Sequence, residues 1–119
     1  MMHQNGRKKL NRKPGHRKAL LRNQVIHLIT YGCLQTSKVR AKEVQRIAEK
    51  MVTIARDGYN FNTIRRLKSE LPYSQIAITK LIKEIAPKYL TRPGGYTRII
   101  SLGNRMSDTA PVARLEWVL

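Results

Sequence analysis

Carboxylates are scarce in this chain: 7 Asp and Glu stand against 24 Lys and Arg over 119 residues, a formal charge of +17. A compact protein so charged repels itself, and a polyanion is the natural counterweight. Phosphate backbone is the commonest such partner, because each phosphate neutralised releases a counterion. The same scarcity leaves little for acid–base or metal chemistry. Glu49, Glu84 and Asp108 have no obvious catalytic partner and read as charge balance on helices or a loop cap. His3, His16 and His27 lack a metal-binding spacing. The single cysteine, Cys33, excludes an intramolecular disulfide and four-thiolate metal centres. Placed between Gly32 and Leu34, it reads as a small buried hydrophobe rather than a nucleophile. Apolar runs reach only three or four residues, too short for a membrane span, and the first residues offer no apolar stretch for a signal peptide. A transit peptide would share the basic, acid-free start. However, Ser is absent from the first 36 residues, and Pro14-Gly15 interrupts a continuous amphipathic helix there. No Asn-x-Ser/Thr sequon is present. These absences point to an intracellular, reduced setting.

Hydrophobic residues make up 41% of the chain, enough for the modest core of one small domain. The charge is uneven. Residues 1–42 hold 11 Lys and Arg and no acid, whereas residues 43–119 hold 13 against all 7 acids. Residues 1–15 lack apolar periodicity and cannot offset their ordering entropy by burial, so they read as a basic arm that becomes ordered on a partner. Residues 16–119 form the compact domain.

Within that domain, Leu21, Val25, Leu28 and Ile29 share one face of a helix from His16 to Tyr31, which Gly32 can close. A short strand, Cys33 to Thr36, follows. Ser37 caps a second helix with the stripe Val44, Ile47, Ala48, Met51 and Ala55, ending at Gly58. Asn60 caps a third, with Phe61, Ile64, Leu67 and Leu71 on one face and Pro72 as its stop. Ser74 caps a fourth, with Ile78, Leu81, Ile82 and Ile85 inward and Pro87 as its end. Tyr96 to Leu102 and Ala113 to Leu119 carry strand patterning, joined as a hairpin by Asn104 to Pro111. In the second of these strands Trp117 alternates with Leu115 and reads as core. The expected fold class is α/β (α+β): a two-layer sandwich in the order α-β-α-α-α-β-β, with a small mixed three-stranded sheet and a basic N-terminal arm.

Three features carry binding chemistry. Gly6 to Lys18 holds Arg7, Lys8, Lys9, Arg12, Lys13, Arg17 and Lys18, with His16 beside them. Arg offers a planar fork to phosphate and Lys a mobile point charge, while Gly6, Pro14 and Gly15 let the backbone follow an irregular surface. A membrane-surface patch would interleave large apolar residues with the charge, and only Leu10 is there, so nucleic acid is preferred. Lys18 and Arg22, four residues apart on a helix, repel by a few tenths of a kcal/mol, about what one shared phosphate would offset; an ordinary wet helix face is the bland alternative. Lys38 and Lys42, at the start of the second helix, join the candidate set. Finally, Thr91-Arg92-Pro93-Gly94-Gly95-Tyr96-Thr97-Arg98 makes a turn whose backbone N–H groups can approach a phosphate between Arg92 and Arg98, with Tyr96 available to stack on a base or sugar. The same turn could equally serve as a plain helix-to-strand link, and both roles are compatible. It is not a dinucleotide loop, since no Gly-x-Gly-x-x-Gly or following helix is present.

Gly6-Arg7-Lys8-Lys9-Leu10, then His16-Arg17-Lys18-Ala19-Leu20-Leu21-Arg22-Asn23, resembles the opening signature of the bacterial-type large-subunit ribosomal protein L-seventeen family. Ala41-Lys42-Glu43 and Ala48-Glu49-Lys50-Met51-Val52-Thr53 resemble its long central helix. Glu84 to Tyr89, Arg92 to Ile99, Leu102-Gly103, Asp108 and Ala110 resemble its C-terminal signature. The likeness runs in order through nearly the whole chain. It departs at Met1 to Asn5, which lack the usual arginines, at Gly32-Cys33 and at Ser107, and it is weaker over Phe61 to Gln75. The resemblance implies a non-enzymatic structural protein of the large ribosomal subunit, with no cofactor and no small-molecule substrate. Such a protein binds large-subunit ribosomal RNA near the polypeptide exit tunnel, beside other large-subunit proteins such as the small thirty-second one. Its setting would be the bacterial cytoplasm or an organelle matrix or stroma. Two other classes remain to be weighed. A sequence-specific DNA regulator would place its charge on a reading helix, but here it lies mainly on an irregular arm. An RNA-processing enzyme would need an acid–base or metal cluster, which is missing.

Overall fold

The computed structural model describes residues 13–72 and 74–118. The arm residues up to Arg12 lie outside it. Helix α1, Pro14–Tyr31, starts two residues before the expected boundary. Pro14 does not break the helix because it occupies the first turn, where its missing N–H has no partner to lose. Leu21, Val25, Leu28 and Ile29 are its buried face. At its end Gly32, at φ 82°, closes the helix by donating to the Leu28 carbonyl at 2.9 Å.

Strand β1, Cys33–Ser37, turns directly into α2, Lys38–Ala55, where the Ser37 side chain accepts from the Arg40 N–H. Asn60 and Ser74 cap α3, Phe61–Glu70, and α4, Gln75–Lys80, in the same way. Past α4 the helix widens into one π turn, Leu81–Ile85, and tightens into a 3₁₀ turn, Ala86–Tyr89. Pro87, which has no N–H to give, sits at this change of pitch. Ile78, Leu81, Ile82 and Ile85 all face the core, as their spacing predicts.

Strands β2, Thr97–Asn104, and β3, Pro111–Trp117, form the hairpin, with one irregularity between Ser101 and Gly103. In its loop the Asp108 carboxylate accepts from the Ala110 N–H and from both Nε and Nη2 of Arg105. The backbone hydrogen bond first, and the neighbouring guanidinium after it, hold that carboxyl below its ordinary range.

The α+β class and the element order hold, but the sheet is antiparallel throughout rather than mixed. Its order is β1-β3-β2. β3 lies in the middle and opposes both neighbours, so β1 and β2 run in the same direction without ever pairing. Leu34, Leu115 and Ile99 stand in one row on the face covered by α2. The next row, Cys33, Glu116 and Arg98, stands on the open face. Cys33 is therefore half-buried rather than enclosed. Leu115 and Ala113 meet Val44, Met51 and Val52 in the core beneath α2, and the Trp117 ring packs at its edge, with Nε1 donating to the Leu28 carbonyl.

Candidate nucleic-acid interface

The long helix α2 grips the segment that leads into β2. Gln45, Glu49, Thr53 and Arg56 recur at helical spacing, and each touches that segment. Gln45 Nε2 donates to the Thr97 carbonyl. Glu49 Oε2 accepts from the Thr97 N–H at 3.0 Å and from its hydroxyl at 2.9 Å. Thr53 Oγ1 and the Tyr96 hydroxyl lie 3.2 Å apart. Arg56 donates from Nη1 to the Tyr96 hydroxyl at 3.0 Å and from Nη2 to the Leu90 carbonyl at 2.8 Å. From the other side, Tyr89 donates its hydroxyl to the Val118 carbonyl at 2.6 Å, and the Val118 N–H bonds the Tyr96 carbonyl. Burial pushes the Tyr89 hydroxyl above its usual range, which keeps it a donor. The turn between Leu90 and Tyr96 is thus tied at both ends, with Gly95 at φ 64° supplying the left-handed residue it needs.

This geometry corrects one expectation. Tyr96 does not offer its ring to a base: it is 1% exposed, among the largest fully buried side chains, and tilted against Tyr89 with ring centres 5.3 Å apart. It anchors the turn from below. The cations around the turn do reach solvent. Arg92 is exposed and curls back to the Gly94 carbonyl, and Lys88 joins it around a surface hollow lined also by Thr91, Pro93 and Val118. Arg98 is exposed as well, but its Nε lies 2.7 Å from Glu116 Oε1 and so is partly neutralised.

Of the arm candidates, Arg7, Lys8, Lys9 and Arg12 lie outside the described residues. Lys13, His16 and Lys18 are exposed at the start of α1, and Arg17 is half-buried. No acidic side chain sits in that first turn. Arg22 reaches across to the Ser69 carbonyl at the end of α3, so part of its hydrogen-bonding capacity serves the fold. Lys38 and Lys42 are exposed, one turn apart, at the start of α2. Arg40 and Arg105 line a polar cleft with Gln24, Gln35, Thr36 and Ser37. Neither cation was singled out in the sequence, because nothing local in the chain places the hairpin loop beside β1.

Among the described residues no group of His, Cys, Asp and Glu could hold a metal ion, and no helix is long and apolar enough to cross a membrane. The sequence model of the family described as Ribosomal protein L17 matches residues 20–118. The chain belongs to that family. It is also 47% identical over 111 residues to the large ribosomal subunit protein bL17 of Bdellovibrio bacteriovorus, a match that takes in 93% of this chain and 60% of that relative's length. The family is one of structural ribosomal proteins rather than enzymes. Its match spans Gln45 to Arg56 on α2, the anchored turn and the β2–β3 hairpin, whereas Lys13, His16, Arg17 and Lys18 precede it.

Proposed function

We propose that this chain is a structural constituent of the large ribosomal subunit in the cytoplasm, bound to large-subunit ribosomal RNA near the polypeptide exit tunnel, with other large-subunit proteins as neighbours. The observation that carries the reading is the family match across residues 20–118. The charge distribution and the turn geometry supply the means. The basic arm and the first turns of α1, with Arg7, Lys8, Lys9, Arg12, Lys13, Arg17, Lys18 and Arg22, neutralise phosphates. The Pro93-Gly94-Gly95 turn presents Arg92 and Arg98 to the RNA from a mount that α2 holds fixed, so little ordering entropy is lost there on binding. His16, Lys38 and Lys42 extend the contact, and the α/β body positions it.

Titrating salt against binding of the whole chain to large-subunit ribosomal RNA tests this. The eight contacts of Arg7 to Arg22 alone give a log–log slope of roughly −6 to −7, and those of the body steepen it. A slope near −1 would contradict the proposed electrostatic contact.

A further inference from the structure

The chain has one Phe, five Tyr and one Trp. Tyr89 and Tyr96 pack together in the interior, and the partly buried Trp117 packs against Tyr89. The single Phe does not. Spacing places Phe61 on the core face of α3 with Ile64, Leu67 and Leu71, yet it is 77% exposed, and Tyr59, two residues earlier, is 61% exposed. Each ring carries a cation. The Arg65 guanidinium carbon lies 5.9 Å from the centre of the Phe61 ring, and Lys83 Nζ lies 4.9 Å from the centre of the Tyr59 ring. Lone exposed aromatics need no explanation. Two together, each with its own cation and separated only by the capping Asn60, form a particular arrangement.

We infer that Tyr59 and Phe61 form a stacking platform for unpaired bases of an RNA strand, with Arg65 and Lys83 receiving the flanking phosphates. The inference rests on the ribosomal reading in taking RNA as the polyanion, but it names a surface apart from the arm and the Pro-Gly-Gly turn. Charge complementarity selects RNA over a protein partner. Residues 59–69 contain Arg65, Arg66 and Lys68 and no acid. Glu70, next along, is engaged by Lys50 at 3.9 Å. Asp57 and Glu84 are the exposed acids near the rings in sequence and on the neighbouring helical segment, and they are outnumbered. Every base has a face that can stack on an aromatic ring, and the flanking cations meet the phosphates to either side. Asn60, fixed by its cap to the Thr63 N–H and by its donation to the Asp57 carbonyl, holds the two rings on a short rigid corner.

The test uses the full chain with a short single-stranded oligoadenylate and, in parallel, a blunt RNA duplex of equal length. Tyr59→Ala and Phe61→Ala are each expected to weaken single-strand binding by about tenfold, and the double variant by about 100-fold. Duplex binding should stay within about twofold of the parent, and Tyr59→Phe should retain single-strand affinity. Arg65→Gln and Lys83→Gln should each lower the single-strand salt slope by about 0.7. Because both rings are exposed, the alanine variants are expected to melt as the parent does. Ultraviolet cross-linking should map the strand to Tyr59 or Phe61. The inference is overturned by an unchanged single-strand affinity in the double variant, by an equal loss on duplex, or by ring-dependent self-association without RNA. If the parent binds both RNAs with a steep salt slope while the double variant matches it, this inference alone falls. If the parent binds neither, the ribosomal reading falls with it.

Discussion

Replacing Arg7, Lys8, Lys9, Arg12, Lys13, Arg17, Lys18 and Arg22 together by Gln is expected to weaken binding to large-subunit ribosomal RNA by at least about 1,000-fold at physiological salt. The chain's charge falls from +17 to +9, and what remains sits on the body. Eight removed phosphate contacts should also flatten the salt response. Between about 50 and 200 mM salt the parent, with those eight contacts and four more from Lys38, Lys42, Arg92 and Arg98, should lose about a million-fold in affinity, and the variant, with the last four alone, about 100-fold. The fold should be spared. Lys13 and Lys18 are exposed, Arg17 and Arg22 are only half-buried, and the Arg22 bond to the Ser69 carbonyl lies at the surface. Less self-repulsion works in favour of the compact state. Filter binding across a salt series, beside a thermal melt of each protein, separates the effects. A variant that binds as tightly as the parent would assign the contact to the body instead.

The second large effect is on stability. Tyr96→Ala is expected to cost about 3–5 kcal/mol, because it empties a fully enclosed aromatic site and leaves the Arg56 guanidinium and Thr53 hydroxyl without their shared partner. For a domain of this size that lowers the melting temperature by roughly 10–20 °C. Tyr96→Phe keeps the packing and loses only the hydroxyl contacts, so it should cost about 1–2 kcal/mol. Urea unfolding measures both. The pair discriminates between two roles for the ring. A base-stacking tyrosine would tolerate Ala in stability and lose RNA affinity, whereas an anchor beneath the turn loses stability first. Equal stability of parent and Tyr96→Ala would contradict the anchoring role.

Helix caps and stripes were legible in the sequence because they are local. Ser37, Asn60 and Ser74 each bond the N–H three residues on, and Val44, Met51 and Ile78 turn inward where a 3.6-residue period puts them. The order of the strands was not legible. Pattern alone shows that β1 and β3 each have one buried face, but not that β3 lies between its neighbours and makes every pairing antiparallel. The same limit hid the polar row Gln45, Glu49, Thr53 and Arg56 that grips the segment leading into β2. Glu49 reads as charge balance until β2 is known to cross it, 48 residues later in the chain, and present Thr97 to its carboxylate. Phe61 was misplaced for a different reason. It fits the apolar period of α3, but it is the first residue of the helix and lies at the edge of the buried stripe, so periodicity overstated its burial. Tyr96 follows a basic Gly-rich turn, a setting that suggests ligand contact, and nothing local in the chain shows that Thr53 and Arg56 reach its hydroxyl from 40 and more residues earlier.

The account rests on the chain being built into the large subunit and held there by many phosphate contacts at once. Sedimentation of cell extract through a high-salt wash tests this directly. The chain should travel with large subunits, and not with small subunits or free RNA, and should remain bound after the wash because the assembled particle encloses the contacts that free RNA exposes to salt. Recovery at the top of the gradient, away from both subunits, would contradict the account.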